Sequence, residues 1–231
     1  RRGSFASSWP SIAGVVAILG GLVGYFIAKV GRGAGSTGLA SVALLPFAAF
    51  VESAAMKPAL REVATAVDID APPERVWPHV VGFAELPPPP EWFFRLGIAY
   101  PMRARIAGEG VGAVRRCEFS TGPFVEPITV WEPPRRLAFD VVSQPPSMQE
   151  YSPYAHVNAP HLEGYMHSKR GEFRLVPLPG GRTRLEGSTY YTLAIYPEVY
   201  WVVFSDALLH AIHRRVLEHI RGLAESDAVG R

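Results

Sequence analysis

One order of segments constrains this chain more than any other feature. It reads as a strand, a short helix, six further strands in succession and one long closing helix. Glu62 to Ala71 opens it, with Val63, Thr65, Val67 and Ile69 alternating against polar or small residues. That is the period-2 pattern of a half-buried strand. Pro72 and Pro73 lead into Glu74-Arg75-Val76-Trp77. Proline is tolerated at a helix start because its missing N–H would be unpaired there anyway. The short helix runs to about Val81, Pro87 to Pro90 stop it, and Glu91 to Gly97 adds a turn. Strands follow at Met102–Ala107, Gly112–Ser120, Phe124–Trp131, Arg135–Val142, Tyr165–Pro177 and Arg182–Ile195. Gly108-Glu109-Gly110, Glu132-Pro133-Pro134 and Pro179-Gly180-Gly181 punctuate them as turns. Consecutive strands on short turns make an antiparallel meander, so the class is α+β. The last helix, Pro197 to about Ala224, is the only element large enough to cover one face of such a sheet. Ser143 to Gly164 is long, rich in Pro, Tyr and His, and reads as a lid or binding loop.

Two apolar runs precede this domain. Ile12 to Ala28 holds seventeen residues without a charge and is closed by Lys29 and Arg32. Seventeen is the lower limit for a helix that crosses a hydrocarbon core. Gly20, Gly21 and Gly24 suit close helix packing in lipid. The second run, Leu39 to Met56, contains Pro46 and Glu52, and membrane helices tolerate proline. The expectation is a transmembrane helical hairpin as a membrane anchor over residues 1–58, with helices at about 11–29 and 39–56. The main domain then spans 61–225, with a tail at 226–231. A signal peptide is the competing reading of the first run, and an interfacial helix that of the second. In a hairpin, Arg1, Arg2, Lys57 and Arg61 share one side, against Lys29 and Arg32 in the turn. The positive-inside rule then places the domain on the cytoplasmic side.

Hydrophobic residues make up 48% of the chain and charged residues 19%, which excludes a disordered chain. The net charge of +2 comes from scattered Lys and Arg, so no nucleic-acid patch is built. The single Cys117 excludes an internal disulfide and a cysteine zinc site, and fits a reducing compartment. There is no Gly-x-Ser-x-Gly elbow, no HExxH and no Gly-rich phosphate loop. No metal and no cofactor are expected.

The phrase Val67-Asp68-Ile69-Asp70-Ala71-Pro72-Pro73-Glu74-Arg75-Val76-Trp77 resembles the opening of the SRPBCC superfamily, which includes START domains, polyketide cyclases/aromatases and Bet v 1-like proteins. Gly112-Ala113-Val114-Arg115-Arg116, Val130-Trp131-Glu132-Pro133-Pro134-Arg135-Arg136-Leu137 and Gly181-Arg182-Thr183-Arg184-Leu185 agree with it. The resemblance covers about Arg61 to Glu225. It implies a helix-grip fold, a curved antiparallel sheet wrapped on the long C-terminal helix with a cavity between them. It does not imply one function, because the superfamily includes transporters, cyclases and binding proteins.

The last helix carries the densest polar signal. At about 100° per residue, Val199, Val202, Val203, Leu217 and Ile220 share a face. Asp206, His210 and His213 fall on the same face, and polar groups there are costly unless paired. The i, i+4 spacing lets Asp206 and His210 bond each other. On the strand Tyr165–Pro177, His167 and Lys169 lie in phase with Gly171, Phe173 and Leu175. The loop adds His156 and His161. Three readings stay open for this cluster: an internal network fixing helix to sheet, the polar end of a ligand cavity, or acid–base catalysis or metal binding through His213, Asp206 and His210. Tyr191 and Trp201, with other aromatics, either line an entrance or serve as core and membrane-interface anchors. Lys169 also fits a solvated strand face. The leading expectation is a binding domain for an apolar small molecule or lipid, using His167, Lys169, Asp206, His210, His213, Tyr191 and Trp201. The alternatives are a cyclase-type enzyme, or a structural domain with a membrane-protein partner or in a homo-oligomer.

Overall fold

Alternating side chains from Leu60 onward build the sheet, and a computed structural model describes residues 49–54, 57–149 and 164–229. The strands are β1 (Leu60–Ile69), β2 (Pro101–Ala107), β3 (Val114–Phe119), β4 (Gly122–Glu132), β5 (Arg136–Asp140), β6 (Met166–Leu178) and β7 (Arg182–Leu193). All pair antiparallel in one sheet, in the order β1-β7-β6-β5-β4-β3-β2. Helix α1 (Pro73–Val81) and a 3₁₀ turn (Phe94–Leu96) separate β1 from β2, and α2 (Glu198–Val229) ends the chain. This is the helix-grip architecture. The elements expected from Glu62 onward occur, with ends displaced by one to three residues for most and by five at the end of α2 (Val229 against Ala224). Helix ends fray and are the least determined by pattern.

Local chemistry explains the first elements. Pro72 caps α1 and Pro73 sits in its first turn. Thr183 Oγ1 donates to the Ala71 carbonyl at 2.6 Å and holds the β1–α1 corner on β7. Trp77 of α1 meets Trp131 of β4 edge-on, with centroids 5.6 Å apart. The inward residues of β1 and β7 keep strict alternation. Val63 and Ile69 are buried on one, and Thr183, Leu185, Tyr191 and Leu193 on the other. They meet Val202, Leu209, Val216, Leu217 and Ile220 of α2. Val199 and Val203, expected on that buried face, are exposed. Val203 stands one residue, about 100°, away from the buried Val202, and Val199 lies in the first turns, which carry the least cover.

Two compact units divide the chain. One comprises Arg1–Lys57 with Tyr196–Glu198, the other Pro58–Ile195 with Val199–Arg231. The sheet and its cavity belong to the second. In the first, residues 49–54 are helical. The expected span Ile12–Ala28 and most of Leu39–Met56 lie outside the described residues, as do His156 and His161. Among the described residues, no helix is long and apolar enough to cross a membrane.

Candidate functional site

Sheet and helix leave two different contacts between them. The first is a polar seam along β1, β7 and α2. Thr65 Oγ1 lies 2.8 Å from His210 Nδ1 and 3.2 Å from His213 Nδ1. Thr189 Oγ1 lies 2.7 Å from His213 Nε2. A neutral imidazole offers one donor and one acceptor, so the two threonines use both nitrogens of His213. Burial, with the nearby His210 adding to it, pulls the His213 pKa down to about 4. His213 is therefore neutral near pH 7. Two turns before His213, Tyr191 Oη donates to Asp206 Oδ1 at 2.5 Å. Burial and then Asp206 raise the phenol's pKa. Asp206 and His210 thus take separate partners on the sheet rather than each other. The sheet residues opposite them compete better than a neighbour on the same helix.

The second contact is a cavity between the sheet and α2, of about 140 Å³ when counted as the space open to the centre of a water molecule. That is room for on the order of ten water centres. Phe119, Phe124, Phe139 and Phe173 form much of its wall. Gly171 of β6 is part of the reason it exists. A Cβ there would sit 2.6 Å from Phe139 Cζ and would push that ring out of its place. Gln144, Pro145 and Pro146 form a rim. Gln144 fastens that rim to β6, donating to the Met166 carbonyl at 2.7 Å and accepting from the Ser168 N–H at 2.9 Å.

Gln144 bonds at an irregularity. The β6–β7 register shifts between Ser168 and Arg170, which reverses the alternation of β6. Gly171, Phe173 and Leu175 stay in phase with the inward residues of β7, whereas before the shift it is Met166 and Ser168 that are in phase. The phase expected for His167 and Lys169 therefore fails, and both are exposed. Strand periodicity has no signal for one extra residue. Trp201 is 38% exposed in an aromatic cluster with Tyr200 and Phe204, and it does not line the cavity. Of the seven expected site residues, only His213 lines it.

The cavity also holds an ion pair that is not among the expected site residues. Arg115 of β3 is 2% exposed and bonds Glu126, its register partner on β4. Burial works against the Arg115 cation, but Glu126 outweighs it and raises the pKa. Burial pushes the Glu126 carboxyl up, only partly offset by Arg115. The guanidinium carbon lies 5.3–5.6 Å from the ring centres of Phe83, Phe139 and Phe173, a cation–π cage. Cys117 adjoins it, its thiol pushed up to about 12 by burial. The signal was present in the parity of β3: Ala113, Arg115 and Cys117 are spaced by two and all are buried. Among the described residues, no group of His, Cys, Asp and Glu could hold a metal.

Solved structures with a similar arrangement include an aromatase/cyclase from Streptomyces sp. R1128, at 21% identity over 72% of this chain and 94% of that chain, with a TM-score of 0.45. Norcoclaurine synthase from Thalictrum flavum is similar at 11% identity, over 76% of this chain and 98% of its own, with a TM-score of 0.45. A protein from Nitrosospira multiformis matches at 19% identity over 73% and 99%, with a TM-score of 0.42. No curated protein matches the chain. The family described as polyketide cyclase / dehydrase and lipid transport matches residues 61–225, most of the chain and all of the sheet but Leu60, and this protein belongs to that family.

Proposed function

We propose that this protein is a membrane-anchored binding domain that encloses an apolar small molecule, a lipid or a polyketide-like compound, between its sheet and its last helix. The observation that carries this reading is the cavity, lined by Phe119, Phe124, Phe139 and Phe173 and not filled by the protein's own side chains. A purely structural domain has no need of such a space, because unfilled apolar volume destabilises a fold. The binding free energy comes from apolar area removed from water, at roughly 25 cal/mol per Å². The apolar runs Ile12–Ala28 and Leu39–Met56 supply the anchor, and the charge pattern around them favours a cytoplasmic domain. Exposed Val199, Tyr200, Trp201, Val203 and Phe204 at the start of α2 suit a position near lipid headgroups, where Trp and Tyr are enriched.

The acid–base alternative has less support. His213 reaches the cavity wall, but Thr65 and Thr189 occupy both its nitrogens. Asp206 is engaged by Tyr191. A general base needs a nitrogen free to meet the substrate proton.

The test is native mass spectrometry of the full chain extracted from its membrane, with analysis of what is released. A stoichiometric apolar compound supports the binding reading. A chain that leaves the membrane with nothing bound, and that takes up no member of a lipid panel, overturns it.

A further inference from the structure

We propose that Arg115 makes the cavity selective for an uncharged ligand bearing an oxygen acceptor, such as a ketone, aldehyde or ester, over a carboxylate or other anion. This rests on the reading of the cavity as a ligand site. Arg115 lines that cavity and is 2% exposed, yet its Nε has no hydrogen-bond partner among the described residues. A buried donor without an acceptor is costly, and the cost is recovered when an acceptor arrives. Several other polar groups of the wall are committed. Thr189 and His213 bond each other, Gln144 is spent on the β6 backbone, and Glu172 is held by Arg136 and Arg174. Of the buried side-chain polar atoms left without a partner among the described residues, the Arg115 Nε alone belongs to a residue of the wall.

Charge decides which acceptor fits. Arg115 is already matched by Glu126. Cys117, whose thiol is pushed up to about 12, and His213, pulled down to about 4, are both neutral near pH 7. An entering carboxylate would leave two anions around one cation in an apolar space, or would have to bring a proton onto Glu126. Either route is costly. A carbonyl oxygen takes the Nε proton without adding charge. The three rings around the guanidinium favour a flat apolar body beside that oxygen.

The experiment compares three probes of one ring system, naphthalene, 2-acetylnaphthalene and 2-naphthoate, by calorimetric titration of the full chain in detergent at pH 8. Partition into detergent is subtracted with protein-free detergent, and the titrations are repeated on Arg115→Lys, which keeps the charge beside Glu126 but lacks the Nε, and on the double variant Arg115→Met/Glu126→Gln. The expected result is that 2-acetylnaphthalene binds about tenfold more tightly than either other probe. Both variants should lose that factor, so that they bind the ketone no better than naphthalene. The comparison of probes on the unaltered chain stands even if a variant fails to fold. Equal binding of naphthoate and the ketone, or a ketone preference that survives Arg115→Lys, overturns the assignment to Arg115 and leaves the cavity reading standing. No binding of any probe, naphthalene included, removes the cavity reading and this proposal with it.

Discussion

The seam, part of it exposed, and the cavity floor formed by the Arg115–Glu126 pair are both polar patches between one sheet and one helix, yet they differ in how fully their groups are used. In the seam, Thr65, Thr189, Tyr191, Asp206, His210 and His213 are joined by four hydrogen bonds of 2.5–3.2 Å. In the floor, Arg115 and Glu126 meet each other and the Arg115 Nε is left over. A satisfied network fixes one geometry. An unsatisfied one, placed against an empty volume, is a site that awaits a partner. The seam was the expected site and the floor is the better candidate.

The sharpest way to break this comparison is to strand the floor's cation. Glu126→Leu leaves the Arg115 charge buried with no counter-charge, and removing one partner of a buried pair costs about 3–5 kcal/mol. Replacing both partners with apolar residues, Arg115→Met with Glu126→Leu, should return most of that loss. Chemical denaturation of the full chain measures it. A single variant as stable as the parent would mean that water or a bound molecule already neutralises Arg115.

The seam responds to pH instead. His213 is pulled down to about 4 in the folded chain, against an ordinary value of 6.5. Between these values the unfolded chain binds the proton and the folded chain does not. Stability therefore falls as pH drops from about 6.5 to about 4, then levels off, by on the order of 3 kcal/mol for this group. His213→Gln should remove that component of the slope and leave the carboxylate contributions. Denaturation midpoints at pH 7.5, 6, 5 and 4.5 for parent and variant give the difference. Parallel profiles would show that the seam lets the imidazolium reach water.

Much of the fold was legible because its signals are local and repeated. Seven alternating stretches, turn glycines and prolines, and one long amphipathic segment each point the same way. The site was harder to read. Polar residues on α2 stand out against an apolar face, so His210, His213 and Asp206 drew notice. Arg115 sits beside Arg116 in a strand, and only its parity with Ala113 and Cys117 separates the two adjacent arginines. Its pairing with Glu126 depends on register across a turn, a non-local fact. Two ion pairs of the sheet were equally hidden: Arg184 pairs with Asp68 and Arg136 with Glu172, partners 116 and 36 residues apart.

The smallest expected effect tests the one reversal that most altered the site. If the register shift between Ser168 and Arg170 holds in solution, His167 faces water. Exposed residues without special contacts change stability by no more than about 0.5 kcal/mol on truncation. His167→Ala should then leave the melting curve and 2-acetylnaphthalene affinity where they were. Unbroken alternation makes a different forecast, because an inward His167 would stand near Tyr191 and Asp206. Its loss would then weaken the seam by about 1 kcal/mol or more. The Gln144 bonds at Met166 and Ser168 argue for the first outcome. They tie down the backbone of β6 at Met166 and Ser168, just ahead of the register shift, and so hold the segment that carries His167 in the phase that the shift gives it.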